Sequence, residues 1–218
     1  MKVKWLGHAC FLITSDAGIK IITDPFTSGG GISYPELKES ADVVLTSHEH
    51  GDHSNTAAIK GKPQIIKGNG VTETKGIKFK GIGTYHDDAK GTKRGKNTVF
   101  VFEVDGIRIC HLGDLGHDLS DAEVGEIGKV DVLFIPVGGF YTCDVPVAKT
   151  ICNKLSPKVA IPMHFKTPKL DTSVFGAIVG CDEFLTGKTN VDRRNSNEIE
   201  FRVGQLPVST QIVVLMPP

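Results

Sequence analysis

His48-Glu49-His50-Gly51-Asp52-His53 follows directly on the short apolar run Val43-Val44-Leu45-Thr46, and this junction decides how the chain is read. Six residues hold three imidazoles and two carboxylates, the side chains that bind zinc, manganese, iron or nickel. His48 and His50 lie two apart, so in extended backbone both side chains leave on one face and can grip one ion. Asp52 and His53 diverge as neighbours and can reach a second ion beside it, with Gly51 allowing the tight turn between the pairs. A helical zincin needs His-Glu-x-x-His, which demands histidine where Asp52 stands. The competing account is a polar turn with surface histidines. With eight histidines in 218 residues, three within six is a poor match to chance.

Three further metal-capable side chains occupy the same kind of place. His86 follows the alternating stretch Ile82-Gly83-Thr84-Tyr85, Asp114 closes Ile107 to Leu112 through Gly113, and His164 ends Val159-Ala160-Ile161-Pro162-Met163. Each stands at the C-terminal end of a strand-like run, where side chains from several strands can converge. Singly, each reads more simply as a loop or core residue. Together they form a set, and its spread over both halves implies two sheets meeting at a shared edge.

Around this set the pattern is mostly short strands and turns. Val3 to Leu6, Cys10 to Thr14, Ile19 to Thr23, Thr98 to Val104 and Ile107 to Cys110 read as strands, the last two joined by a hairpin at Asp105-Gly106. Val130 to Pro136, Val159 to Pro162 and Gln211 to Leu215 are short and apolar. Ser120-Asp121-Ala122-Glu123 has the form of a capping box opening a helix to Ile127, and Asp144 caps a second that carries Pro146 in its first turn and runs to about Leu155. A weaker helical pattern covers Pro35 to Ser40. No linker divides the chain, so residues 1–218 read as one α/β domain.

Composition agrees and excludes several classes. Apolar residues at 39% and charged residues at 23% are those of a globular chain rather than a disordered one. Lys+Arg and Asp+Glu are equal at 25 each, so no global field draws the protein to nucleic acid or an anionic membrane. No apolar run approaches the ~20 residues that cross a bilayer. Met1 to Ile13 reads as a first strand, because His8 interrupts it and no small-residue cleavage site follows. Five cysteines, odd in number and without a CxxC pair, read as free thiols in a reducing, cytoplasmic setting. Gly187-Lys188-Thr189 is not the end of a phosphate-binding loop, since six residues rather than four separate it from Gly180.

The order His-x-His-x-Asp-His, a lone His, Gly-Asp after a strand, and a late Met-His resembles the metallo-β-lactamase superfamily. Within it, Leu6-Gly7-His8-Ala9, Thr23-Asp24-Pro25 and Ile161-Pro162-Met163-His164 resemble a branch of small metal-dependent hydrolases related to L-ascorbate-6-phosphate lactonase. The resemblance runs from Trp5 to about Phe165. It implies a four-layer αββα sandwich with two divalent metal ions at one edge between the sheets, zinc foremost, with manganese, nickel or iron compatible with the same ligands. His48, His50 and His86 would hold the first ion, Asp52, His53 and His164 the second, and Asp114 would bridge them. The family's Gly-Asp-Thr is here Gly113-Asp114-Leu115, which removes a hydroxyl from beside the bridge. Asp52 would also orient the attacking water. His8 would neighbour the metals in a catalytic or a supporting role. Asp24 would orient a metal-bound histidine or serve as an ordinary turn carboxylate. His111 reads as packed or supporting and His117 as a surface residue.

Two cations held ~3.5–4 Å apart lower the pKa of a water between them and polarise the bond under attack. The expected activity is therefore hydrolysis, by metal-activated hydroxide, of a small ester, lactone or phosphoester. The loop Asp87 to Asn97 carries four cations and begins at a proposed ligand, which makes Lys90, Arg94 and Lys96 candidates for meeting an anionic substrate group. A phosphodiesterase or nuclease could use the same ions, but the neutral net charge weighs against polymeric substrates. A metal-dependent oxidoreductase is a different class; the di-iron flavoproteins resemble His-x-Glu-x-Asp-His, whereas His50 stands here and no flavin domain follows. A non-catalytic binding protein would not need all seven ligands. The sequence leaves a homo-oligomer open.

Overall fold

The computed structural model describes residues 1–218. The first nine strands are β1 (Lys2–Gly7), β2 (Cys10–Thr14), β3 (Lys20–Thr23), β4 (Val43–Thr46), β5 (Gln64–Lys67), β6 (Gly70–Thr74), β7 (Ile77–Tyr85), β8 (Lys96–Val104) and β9 (Ile107–His111). Then come α1 (Asp121–Ile127), β10 (Val132–Pro136), α2 (Val145–Leu155), β11 (Val159–Met163), α3 (Thr172–Phe175), α4 (Cys181–Leu185), β12 (Val191–Arg193), β13 (Glu198–Glu200) and β14 (Gln211–Val214). One sheet runs β13-β1-β2-β3-β4-β5, the other β12-β14-β11-β10-β9-β8-β7-β6. Both are mixed: β3, β4 and β5 are parallel in the first, and β9, β10, β11, β14 and β12 in the second.

Period-two alternation assigns the two faces of the first sheet. Val3, Trp5, Phe11, Ile13, Ile21, Val43 and Leu45 turn inward to the core shared with the second sheet. Leu6, Cys10, Ile22 and Val44 turn outward and are covered by Phe26, Ile32, Tyr34, Leu37, Ile59 and, from α3, Phe175. That outer layer comes largely from the irregular segment 25–41 and residues around the 3-10 turn Thr56–Ala58. Phe11 and Phe134 stack between the sheets with centroids 4.2 Å apart. On the other side, α1 contacts β7, while α2 contacts β10 and α4. No helix is long and apolar enough to cross a membrane.

The capping residues behave as their sequence predicts. Ser120 and Glu123 form a reciprocal capping box, and the Asp144 side chain accepts from the backbone N–H of Val147 with Pro146 in the first turn. The helix expected over Pro35 to Ser40 is absent. Its backbone groups bond across the chain instead: Lys60 donates to the Glu39 carbonyl and Ala41 to that of Lys60. Burial of Tyr34 and Leu37 in the outer layer holds this path extended.

Candidate metal centre

Every candidate ligand projects from the loop that follows a strand, at one lip of the two sheets. The first sheet contributes His8 after β1, Asp24 after β3 and His48 to His53 after β4. The second contributes His86 after β7, Asp114 after β9 and His164 after β11. Three overlapping groups place their ligand atoms within 4.8 Å of one another: His48, His50 and His86; His8, Asp52, His53 and His164; and His48, His53 and Asp114. The first two groups match the two trios expected from sequence, with His8 added to the second. Asp114 Oδ2 lies between the trios, 3.9 Å from His48 Nε2, 3.2 Å from His86 Nε2, 3.2 Å from His53 Nε2 and 3.3 Å from His164 Nε2. This is the position a carboxylate must take to touch two ions at once.

Asp24 organises the histidines from behind. It is fully buried, and its carboxylate accepts from Ser47 N–H at 2.7 Å, Ser47 Oγ at 2.7 Å, His53 Nδ1 at 3.2 Å and His111 Nε2 at 2.8 Å. Burial works to raise its pKa, yet the His111 and His53 rings against it pull it far below the ordinary carboxylate range. Ser47 has one hydroxyl proton, which goes to Asp24, so it accepts from His48 Nδ1 at 2.9 Å. Both contacts fix tautomers: His48, and His53 once it has given up its second proton, keep a proton on Nδ1 and turn the Nε2 lone pair into the site. Asp24 thus acts on His53 directly and on His48 through Ser47.

The backbone around the site is constrained in ways that only close packing sustains. His8, Asp24 and His164 all adopt left-handed φ, at 52°, 38° and 48°. Gly7, at φ 120°, lies against the Tyr34 ring, where a Cβ would come within 2.5 Å of ring carbon. Asn97 is buried and ties three strands together. It donates to Thr84 Oγ1 at 2.8 Å and the Leu112 carbonyl at 2.9 Å, and accepts the Asp114 N–H at 3.0 Å. Sequence reading missed Asn97, although a carboxamide opening an otherwise apolar strand was its signal. His117, expected at the surface, is partly buried because its Nε2 accepts the Tyr85 N–H at 3.2 Å.

His8 is buried, packs on a tilted His164 ring at 4.1 Å between centroids, and places Nε2 3.2 Å from Asp52 Oδ2. Burial and then the His164 ring lower its pKa to about 4, so at neutral pH it is uncharged and donates to Asp52 from Nε2. His48 falls to about 3 for the same leading reason, with His53 second. His53 moves the other way: burial opposes its charge, but Asp114, Asp24 and Asp52 hold its pKa well above the usual imidazole value.

The donor set fits divalent cations. His48 Nε2, His53 Nε2 and Asp114 Oδ1 are buried without a hydrogen-bond partner, around the point where His86 Nε2 and His164 Nε2 also converge. So many orphaned acceptors at one point are costly unless a cation joins them.

A cleft of about 520 Å³ opens over the site. Its floor includes His50, Asp52, His86 and Asp114, and Ile32, Tyr141 and Phe175 give one wall an apolar character. Arg94 lines the same cleft, its guanidinium 4.5 Å from the centre of the Tyr141 ring and within 3.4 Å of the Phe140 carbonyl. The loop that carries Arg94 is pinned by Asp87, whose carboxylate accepts the backbone N–H groups of Ala89, Gly91, Lys93 and Arg94 at 2.7–3.0 Å. Burial would raise the Asp87 pKa, but these donors, Arg94 first, hold it down to about 2. The three loop cations therefore differ. Arg94 reaches the cleft, Lys96 lines a neighbouring one, and Lys90 is exposed and lines neither, because the turn pinned by Asp87 presents only Arg94 to the metal-facing cleft.

Residues 2–164 match the family described as the beta-lactamase superfamily domain. A UPF0173 metal-dependent hydrolase of Archaeoglobus fulgidus is 30% identical over 201 residues, covering 77% of this chain and 84% of that protein. Its counterpart from Pyrococcus abyssi is 30% identical over 211 residues, covering 83% and 92%. A structure from Thermotoga maritima, described as a Zn-dependent hydrolase of the metallo-beta-lactamase superfamily, superposes with a TM-score of 0.80 and 40% identity over 98% of this chain and 97% of that one. By its family match, its relatives and its fold, the chain belongs to the metallo-β-lactamase superfamily.

Proposed function

We propose that this chain is a metal-dependent hydrolase of small anionic esters, lactones or phosphoesters, and that residues 1–218 act as one catalytic domain. The observation that carries the reading is Asp114 Oδ2 set within 3.9 Å of four imidazoles, two from each trio, with the Nε2 atoms of His48 and His53 left without a hydrogen-bond partner. His48, His50 and His86 would hold one divalent ion and Asp52, His53 and His164 another, with Asp114 shared between the two sets and zinc foremost among the candidates. When bound, the pair supplies Lewis acidity that ionises water and polarises the scissile group.

The chain's own groups do the rest. His8 donates from Nε2 to Asp52 Oδ2 and fixes that carboxylate, whose other oxygen accepts the proton of the attacking water. Asp24 and Ser47 keep His53 and His48 in the tautomers that turn Nε2 to the metal positions. Arg94, held by Asp87 and backed by Tyr141, meets the anionic group of the substrate. Lactones enter the class through the resemblance of the Leu6-Gly7-His8-Ala9 and Ile161-Pro162-Met163-His164 segments to the lactonase branch. A cytoplasmic setting suits five cysteines that are all buried and free.

The test is metal depletion by chelation and dialysis, then reconstitution with zinc, manganese, nickel or iron across esters, lactones and phosphoesters. Turnover should vanish and return with metal. A depleted sample that hydrolyses as well as the reconstituted one refutes the reading.

A further inference from the structure

A second cleft, of about 470 Å³, adjoins the first at His50 and Arg94, and no hydrophobic side chain lines it. Lys67, Arg94 and Lys96 bring three cations to it against one carboxylate, Glu49. That carboxylate is engaged: Lys67 Nζ donates to Glu49 Oε1 at 2.9 Å. Arg94 and Lys96 form no ion pair; Lys96 is exposed, while the Arg94 guanidinium, over the Tyr141 ring and 3.4 Å from the Phe140 carbonyl, stands at the junction of the two clefts. Asn69 adds an exposed side-chain amide to the lining.

The placement of Asn69 is built into the sheet. On β7, a Cβ at Gly83 would lie 2.5 Å from Asn69 Nδ2, and one at Gly81 would strike the Gly68 carbonyl oxygen. Only a strand with glycine at both positions lets Gly68 and Asn69 lie flat on it beside the cations. The Gly81-Ile82-Gly83 segment thus gives up strand propensity for this close approach.

We propose that this second cleft is an oxyanion subsite, and that the substrate joins a phosphoryl-type head held there to an apolar body held in the first cleft, with the hydrolysed bond between them over His50. Lys96, Arg94 and Asn69 supply N–H donors of three kinds, which matches a tetrahedral oxyanion with several free oxygens better than a single planar carboxylate. The apolar side of the first cleft, from Ile32, Tyr141, Val174 and Phe175, matches an alkyl or aryl body. The assignment rests on the hydrolase reading for the position of the cleaved bond, and not for the binding of the head.

The experiment is calorimetric titration of the metal-loaded full chain with hexyl phosphate, inorganic phosphate and 1-hexanol. Hexyl phosphate should bind at least about tenfold more tightly than either fragment. Lys96→Met should weaken both phosphates about tenfold, the loss expected for one charge-assisted contact, and leave hexanol unmoved. Glu49→Gln should strengthen phosphate by freeing Lys67. Gly83→Val should weaken it by displacing Asn69, with unchanged circular dichroism showing that the sheet survives. Phosphate affinity unmoved by both Lys96→Met and Glu49→Gln would mean that the head sits on the metals alone, and would overturn the subsite. A single-stranded RNA that outcompetes hexyl phosphate would overturn the small-molecule assignment. If no ester or phosphoester is hydrolysed yet Lys96→Met still weakens hexyl phosphate binding about tenfold, the hydrolase reading falls and the subsite stands. If hydrolysis is metal-dependent but phosphate affinity is indifferent to Lys96, the subsite falls and the hydrolase reading stands.

Discussion

Replacing Asp24 with asparagine isolates what the buried carboxylate contributes. Asparagine keeps an oxygen for the Ser47 N–H, but its amide presents hydrogens where Oδ2 accepted from Ser47 Oγ, His53 Nδ1 and His111 Nε2. His53 must then accept at Nδ1, which moves its proton to Nε2 and points it at the metal position. The Ser47 hydroxyl loses its acceptor and no longer fixes His48. Loss of one such supporting partner costs about 10–100-fold in metal affinity. Asp24 supports two ligands, so the factors multiply to about 10²–10⁴, or about 2.7–5.4 kcal/mol at about 1.36 kcal/mol per decade. Ser47→Ala, which touches only His48, should lose about 10–100-fold. The assay is competition with a chromophoric chelator, with circular dichroism and a thermal melt confirming that each variant folds. A folded Asp24→Asn protein that binds two ions as tightly as the unmodified chain would refute the tautomer argument.

Four further outcomes follow from the same geometry. Metal affinity should go on rising as pH passes 6.5, the ordinary imidazole value, by up to tenfold per unit until the raised pKa of His53 is reached, because His53 must surrender its proton to the ion; competition titrations from pH 6 to 8 with proton-release calorimetry would read this, and a flat profile would contradict it. Asp87→Ala should release the Arg94 loop and raise KM for an anionic substrate about tenfold more than for its neutral analogue, while Arg94→Ala should do so without loosening the loop to proteolysis. Phe134→Ala should lower stability by about 3–5 kcal/mol in a denaturant melt, since it removes the ring stacked on Phe11 between the sheets. Ser120→Ala breaks an exposed capping box and should cost only about 1 kcal/mol by the same melt.

What the sequence made legible was what spacing determines. Two-residue alternation put His48 and His50 on one face, and apolar runs located β4, β9, β10 and β11 because strands buried on both faces carry little else. Their ends then gave Asp114 and His164. Capping chemistry fixed α1 and α2 for the same local reason. What escaped were contacts made across the chain. Ser47 reaches Asp24 from 23 residues away, and Asn97 reaches Asp114 from 17, and no local pattern encodes either. Short edge strands such as β5, β6, β12 and β13 are half-exposed and take their pairing from neighbours rather than from their own apolar content. The segment after Phe165 carried no readable motif, yet Val174 and Phe175 from it line the cleft. The false helix at Pro35 to Ser40 failed because a distant partner, Lys60, claimed its backbone.

The lip where both sheets deliver side chains has a mechanical consequence. His48 to His53 belong to one sheet, and His86, Asp114 and His164 to the other, so ions gripped there would tie the two halves of the core together. Such a tie closes a loop from His48 to His164, and a cross-link over ~100 residues removes about 4–5 kcal/mol of chain entropy from the unfolded ensemble. Without the ions, the sheets would be joined at that edge only by contacts such as the Thr98 N–H to Ser47 carbonyl bond, and opening there would start the separation of the sandwich. Metal supply would then govern how long each molecule survives proteases, and cellular abundance would follow it even when no substrate is being turned over.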